Sequence, residues 1–168
     1  MKEKLLNHYM KIGPRRFVAG TVILLIILDI LNGIYFKLYW VKNSISEANV
    51  MMILDRMQTH PEELTQATLA EMGGLVDQSF NFFLFVILIN NLFFYLFYLR
   101  KKLWAQGYVL FYTLTAVFFS FATLFMGGGM GVGWFIFTLI NIPLYLYLYL
   151  GVKLLKNETT LVPQKKAR

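Results

Sequence analysis

Asp29 is a carboxylate in a stretch that ought to hold none: residues 17–28 before it and 30–36 after it carry no other charge and are predominantly apolar. At the centre of a membrane helix a carboxylate costs about 2.5 to 3.5 kcal/mol to insert, so it must face protein or water. A carboxyl held there can exchange a proton or bind a cation. It can also serve as a hydrogen-bonding group between helices.

Other polar groups fall near the middle of other apolar runs: Asn90 and Asn91 in one, Thr113 and Thr115 in the next, and Asn141 in the last. If every run crosses the same slab of lipid, their centres share a depth, and these residues predict one polar layer at the midplane. Asn32, three residues after Asp29, extends the layer along the same helix face, and the hydroxyl of Tyr35 does so at the next step. Two roles fit the layer. In one, Asp29 is a protonatable or cation-binding carboxyl oriented by the amides of Asn32, Asn90, Asn91 and Asn141. In the other, the layer is a clasp that fixes helix register, each bond contributing about 0.6 kcal/mol.

The elements that position these groups follow from composition. The chain has 168 residues, of which 58% are hydrophobic and 15% charged, and its mean hydropathy is +0.57. These values lie outside the range of soluble domains and make lipid the solvent for most of the chain. A span needs about 20 apolar residues. The expected fold is an all-α integral membrane domain, a four-transmembrane-helix bundle over residues 17–152, with spans at about 17–40, 80–99, 103–126 and 134–152. A basic cytoplasmic or interfacial N-terminus (1–16) and a basic tail (153–168) flank it. The first apolar run follows a basic segment, as a secretory signal would, but it continues past Asp29 to Trp40 without a small-residue cleavage pattern and reads as an uncleaved span.

Five basic residues in 1–16, three in 100–102 and five in 153–168 leave only Lys37, Lys42 and Arg56 elsewhere. The positive-inside rule makes both termini cytoplasmic, in a multi-pass arrangement expected in a bacterial-type cytoplasmic (inner) membrane. Segment 41–78 carries six of the nine acidic residues and is expected on the outside. Ser44 with Glu47, and Thr59 with Pro61 and Glu62, fit capping-box starts. They predict two short extracytoplasmic helices, the first with Val50, Ile53, Leu54 and Met57 on one face. Gly73-Gly74 is expected to stop the second. The glycine-rich run 127–133 is expected to form a hairpin, and Pro143 a kink in the last span. Gly13-Pro14 ends any helix built from Leu5, Leu6, Tyr9 and Met10, which either lies on the membrane surface or frays.

The formal charge of +7 does not imply nucleic-acid binding, because the basic residues flank apolar runs and form no soluble basic face. The same clusters are expected to attract anionic lipid. There is no cysteine, and the two histidines, His8 and His60, lie outside the spans; neither a cofactor nor a metal centre is expected. No nucleophile or phosphate-loop motif is present. The readings that remain are proton or cation permeation, with a homo-oligomer as its natural form; a non-catalytic membrane subunit or scaffold with a membrane-protein partner; and an enzyme acting on lipid through Glu62, Glu63 or Asp77. Lys37 is expected to be an interfacial anchor beside Tyr39 and Trp40.

Overall fold

In the computed structural model, which describes residues 2–38, 66–126 and 131–161, five helices follow one another: α1 (Lys2–Ile12), α2 (Pro14–Phe36), α3 (Gln66–Leu99), α4 (Leu103–Met126) and α5 (Gly131–Leu161). Among the described residues there is no strand. Four helices contain segments long and apolar enough to cross a membrane: Pro14–Phe36, Gly73–Leu99, Leu103–Phe125 and Val132–Lys156. In lipid every backbone N–H and C=O must be satisfied within its own segment, which is why such sequences form helices throughout. The chain is a small helical, multi-pass membrane protein.

The chain forms two compact units, Met1–Leu28 with Asn91–Arg168, and Asp29–Asn90. The first holds the buried apolar core, in which Tyr9 and Phe17 join Leu25, Tyr95, Val109, Tyr145, Leu148 and Val152. α4 packs along α5, and α1 packs on α5 as well. The stretch read as a surface helix or frayed tail is therefore a docked one. Tyr9 is 0% exposed, its hydroxyl donates to the Tyr147 carbonyl at 2.9 Å, and its ring meets Phe17 edge-on at 5.0 Å. His8 Nε2 lies 3.2 Å from the Tyr147 hydroxyl. Burial, with the neighbouring Tyr147 second, pushes the Tyr9 hydroxyl up to about 12, so it stays protonated and able to donate.

The turn from α1 to α2 uses one glycine and one proline. Gly13 takes φ +87°, and its N–H caps the carbonyls of Tyr9 and Met10. Pro14 then opens α2 at the position where a missing N–H costs nothing. At the end of α3, Lys101 has φ 57°, its N–H donates to Tyr98 O, and Lys102 N–H donates to Phe97 O. That pair of bonds is a Schellman cap with lysine where glycine is usual.

Three expectations change. The helix does not stop at Gly73-Gly74: α3 runs unbroken from Gln66 to Leu99, so the later part of the second short helix is the start of a long one. A glycine stop needs a left-handed residue. Among the described glycines only Gly13 adopts positive φ, and the apolar residues that follow position 74 favour continued internal hydrogen bonding. Gly131 and Gly133 belong to α5 rather than to a hairpin, and α5 continues past Lys153 to Leu161, where a tail was expected. Pro143, expected to kink the last span, lies inside α5. The first outer helix, the capping residues Thr59, Pro61 and Glu62, the interfacial Tyr39 and Trp40, and residues 127–130 lie outside the described residues.

Candidate functional site

The residues singled out for the polar layer belong to both units. Asp29, Asn32 and Asn90 are in the second, Asn91 and Asn141 in the first.

In the second unit, the end of α2 runs alongside the first half of α3. Gly33 makes the approach possible, since a Cβ there would come within 2.4 Å of a Leu84 methyl. One turn on, Phe36 stacks on Phe80 at 5.6 Å. Next, Lys37 Nζ lies 2.9 Å from Asp77 Oδ1 and donates to Asn81 Oδ1 at 3.0 Å. Asn81 in turn donates to Asp77 Oδ2 at 3.3 Å. Lys37, expected as an interfacial anchor, is the centre of a polar clasp between two helices. Both members of its ion pair are about a third exposed or more, so the pair contributes under about 1 kcal/mol. Asp77 is also the one described member of the acid set considered for lipid chemistry, and its carboxylate is engaged by this clasp.

Two turns back along α2, Asp29 is 6% exposed and Asn32 half-buried; both are engaged by neighbouring groups. Thr21, Leu25, Asp29 and Gly33 follow each other at four-residue steps, and all four are buried, so Asp29 lies on the packed stripe of its helix. The Thr21 hydroxyl, 1% exposed, has no hydrogen-bond partner among the described residues. Asn90 is exposed on α3.

In the first unit, Asn91 is buried and its Oδ1 accepts a hydrogen bond from the Tyr108 hydroxyl. Around this pair the rings form a connected set: Phe94 stacks on Tyr108 at 3.7 Å, Tyr108 stacks on Tyr112 at 6.0 Å, and Tyr112 meets Tyr95 and Tyr145 edge-on, each at 6.4 Å. Thr113 is buried but spends its hydroxyl on its own helix, donating to the Val109 carbonyl at 2.7 Å; Thr115 is exposed. Asn141 is buried on α5 and engaged.

The polar layer read from the sequence did not include Tyr108, the partner of Asn91. The signal available was spacing: Asn91 and Tyr95, and Tyr108 and Tyr112, recur at four residues and so share faces. Chemically, the first unit holds amides and phenols that can donate and accept hydrogen bonds, and the second holds, among the described residues, a single buried carboxyl. Comparison with protein-family models, with curated proteins and with solved structures finds no match for this chain.

Proposed function

We propose that this membrane protein binds or passes a proton or small cation at Asp29, with Asn32, three residues on along the same helix face, as the amide of the site. The observation that carries this reading is the burial of Asp29, the one buried carboxylate among the described residues. A clasp between helices does not need a carboxylate. Asparagine has nearly the same shape and still hydrogen-bonds, without the insertion cost of about 2.5 to 3.5 kcal/mol. A group that can carry charge, held where a neutral isostere costs less, fits a role that uses the charge. The basic clusters favour an orientation with both termini cytoplasmic and the Lys37–Asp77 clasp on the outer side. The test is proton and cation flux into liposomes containing the purified chain: flux that Asp29→Asn leaves at the wild-type rate sinks the assignment.

A second reading, association with another copy of the chain, has its own observation. Asn90 lies ten residues before Arg100, about 15 Å along the helix and so about half-way through a bilayer core, and its amide is exposed on α3. An amide facing hydrocarbon is costly unless it meets a partner. In a parallel two-fold dimer Asn90 of each copy would meet its counterpart at equal depth, and an amide, being both donor and acceptor, is self-complementary. Asn90→Leu is expected to shift the protein from dimer to monomer in detergent, by light scattering, and to leave its melting temperature in the monomeric state unchanged or higher. A mass unchanged from wild type would remove this face from consideration.

A further inference from the structure

We propose that the seam between the end of α2 and the first half of α3 is the outer access route to Asp29, and that Lys37, clasped to Asp77 and Asn81, is the residue that closes it. Given a proton or cation site at Asp29, on which this rests, the seam supplies the side from which the site is reached and the group that controls entry.

Each helix of the second unit presents one packed line. On α2, Asp29, Asn32, Gly33, Phe36 and, just past the end of the helix, Lys37 recur at three- and four-residue steps and share a face. On α3, Gly73, Asp77, Phe80, Leu84 and Leu88 are the half-buried residues of 73–88, and every residue between them is exposed. The contacts join the two lines in antiparallel order: Leu84 lies over Gly33, Phe80 stacks on Phe36, and Asp77 meets Lys37. Continued inward by one turn, this register brings Leu88 level with Asp29. The seam therefore starts at the buried carboxyl and ends about 12 Å farther along α2 at the Lys37 clasp, where Asp77 is 46% exposed.

An interfacial anchor turns its ammonium to water. Lys37 instead reaches across to α3 and meets three oxygens there, Asp77 Oδ1 at 2.9 Å, Asp77 Oδ2 at 3.1 Å and Asn81 Oδ1 at 3.0 Å. Paired in this way the ammonium adds no net charge to the mouth of the seam; released, it would stand there as a positive charge against an entering cation. Each closure is also easily undone, because the ion pair is open to water, which screens it, the two phenylalanine rings can slide apart, and Leu84 meets Gly33 through the flexible end of its side chain.

The chain has no cysteine, so Asn32→Cys places a single thiol inside the seam. Its rate of modification by small membrane-impermeant methanethiosulfonates, one cationic and one anionic, is measured in proteoliposomes, with Gln78→Cys, exposed beside the clasp, counting the chains whose clasp end faces the reagent. Lys37→Gln and Asp77→Asn are each expected to raise the Asn32→Cys rate about threefold to fivefold with both reagents, and the exchange Lys37→Asp/Asp77→Lys to return it to the starting value. Phe80→Ala, which opens the aromatic closure and keeps both charges, is expected to raise the rate as well, and it carries the test if a charge variant melts below its parent. A rate that rises with one reagent and falls with the other would report only the altered local charge and would overturn the gate. So would a rate unchanged in every variant, or one that stays high after the exchange. The readout is access and not flux: flux abolished by Asp29→Asn beside unaltered labelling would keep the Asp29 site and remove this gate, whereas labelling that follows the clasp in a chain without flux would keep the route and remove permeation.

Discussion

Asp29→Asn is expected to reduce proton or cation flux to the level of protein-free liposomes while the protein remains folded. The two side chains have nearly the same shape, so the packed stripe formed with Thr21, Leu25 and Gly33 stays intact and only the ability to hold a charge or a transferable proton is lost. Stability should stay level or rise, because the amide avoids part of the roughly 2.5 to 3.5 kcal/mol that a central carboxylate costs. Asp29→Glu keeps the charge and moves it by one methylene, and it should retain part of the flux. This ordering of wild type, Glu and Asn separates a chemical role from a structural one. A clasp would follow hydrogen-bonding capacity instead, making Asn as good as Asp.

The largest loss of stability is expected from Gly151→Leu. A Cβ at position 151 would lie 2.1 Å from Phe17 Cζ and 2.8 Å from Tyr9 Cε1, and both rings are buried. Neither ring is a loose end: Tyr9 is tied to the Tyr147 carbonyl, and the two rings hold each other edge-on. Overpacking of this kind costs about 1 to 3 kcal/mol, more than the roughly 0.5 to 1 kcal/mol that replacing a helical glycine returns. The break should appear at α1, seen as a lower melting temperature and as faster proteolysis near Gly13. Gly20, with open space around its Cβ position, is the control. Gly20→Ala should be neutral or slightly stabilising, and equal loss at both positions would remove the docking of α1 as the cause.

The spans were legible because hydropathy over some twenty residues is a local property, and lipid leaves the backbone no choice but helix. The burial of Asp29 was legible for the same reason, since a lone carboxylate in such a run must turn inward. Where helices begin and end was harder to read. Gly73-Gly74 resembles a stop, but a stop requires a left-handed residue, and nothing local to the pair decides whether the chain takes that conformation. The docking of α1 was illegible because it rests on Tyr9, Phe17, Tyr147 and Gly151, brought together across more than a hundred residues of sequence.

The polar layer shows what helical geometry adds to a reading by depth alone. Adjacent residues on a helix point about 100° apart, so Asn90 and Asn91 need not share the same surroundings; Asn91 is buried and Asn90 exposed. Thr113 and Thr115 divide in the same way. Depth put these residues in one layer, and only the face of each helix shows which of them a site in this chain can use. Partners such as Tyr108 depend on the packing of two helices, which no single stretch of sequence encodes.

The central claim, that Asp29 is a carboxyl at which a proton or cation is taken up, is tested most directly by labelling the folded protein with a membrane-permeant carbodiimide, which reacts with protonated carboxyls in apolar surroundings, and locating the adduct by peptide mass spectrometry. The account predicts modification at Asp29 that declines as pH rises and is slowed by the permeant cation if that cation shares the site. An Asp29 that stays unmodified at every pH at which the protein is folded, or that reacts at a rate indifferent to pH and cations, would contradict it.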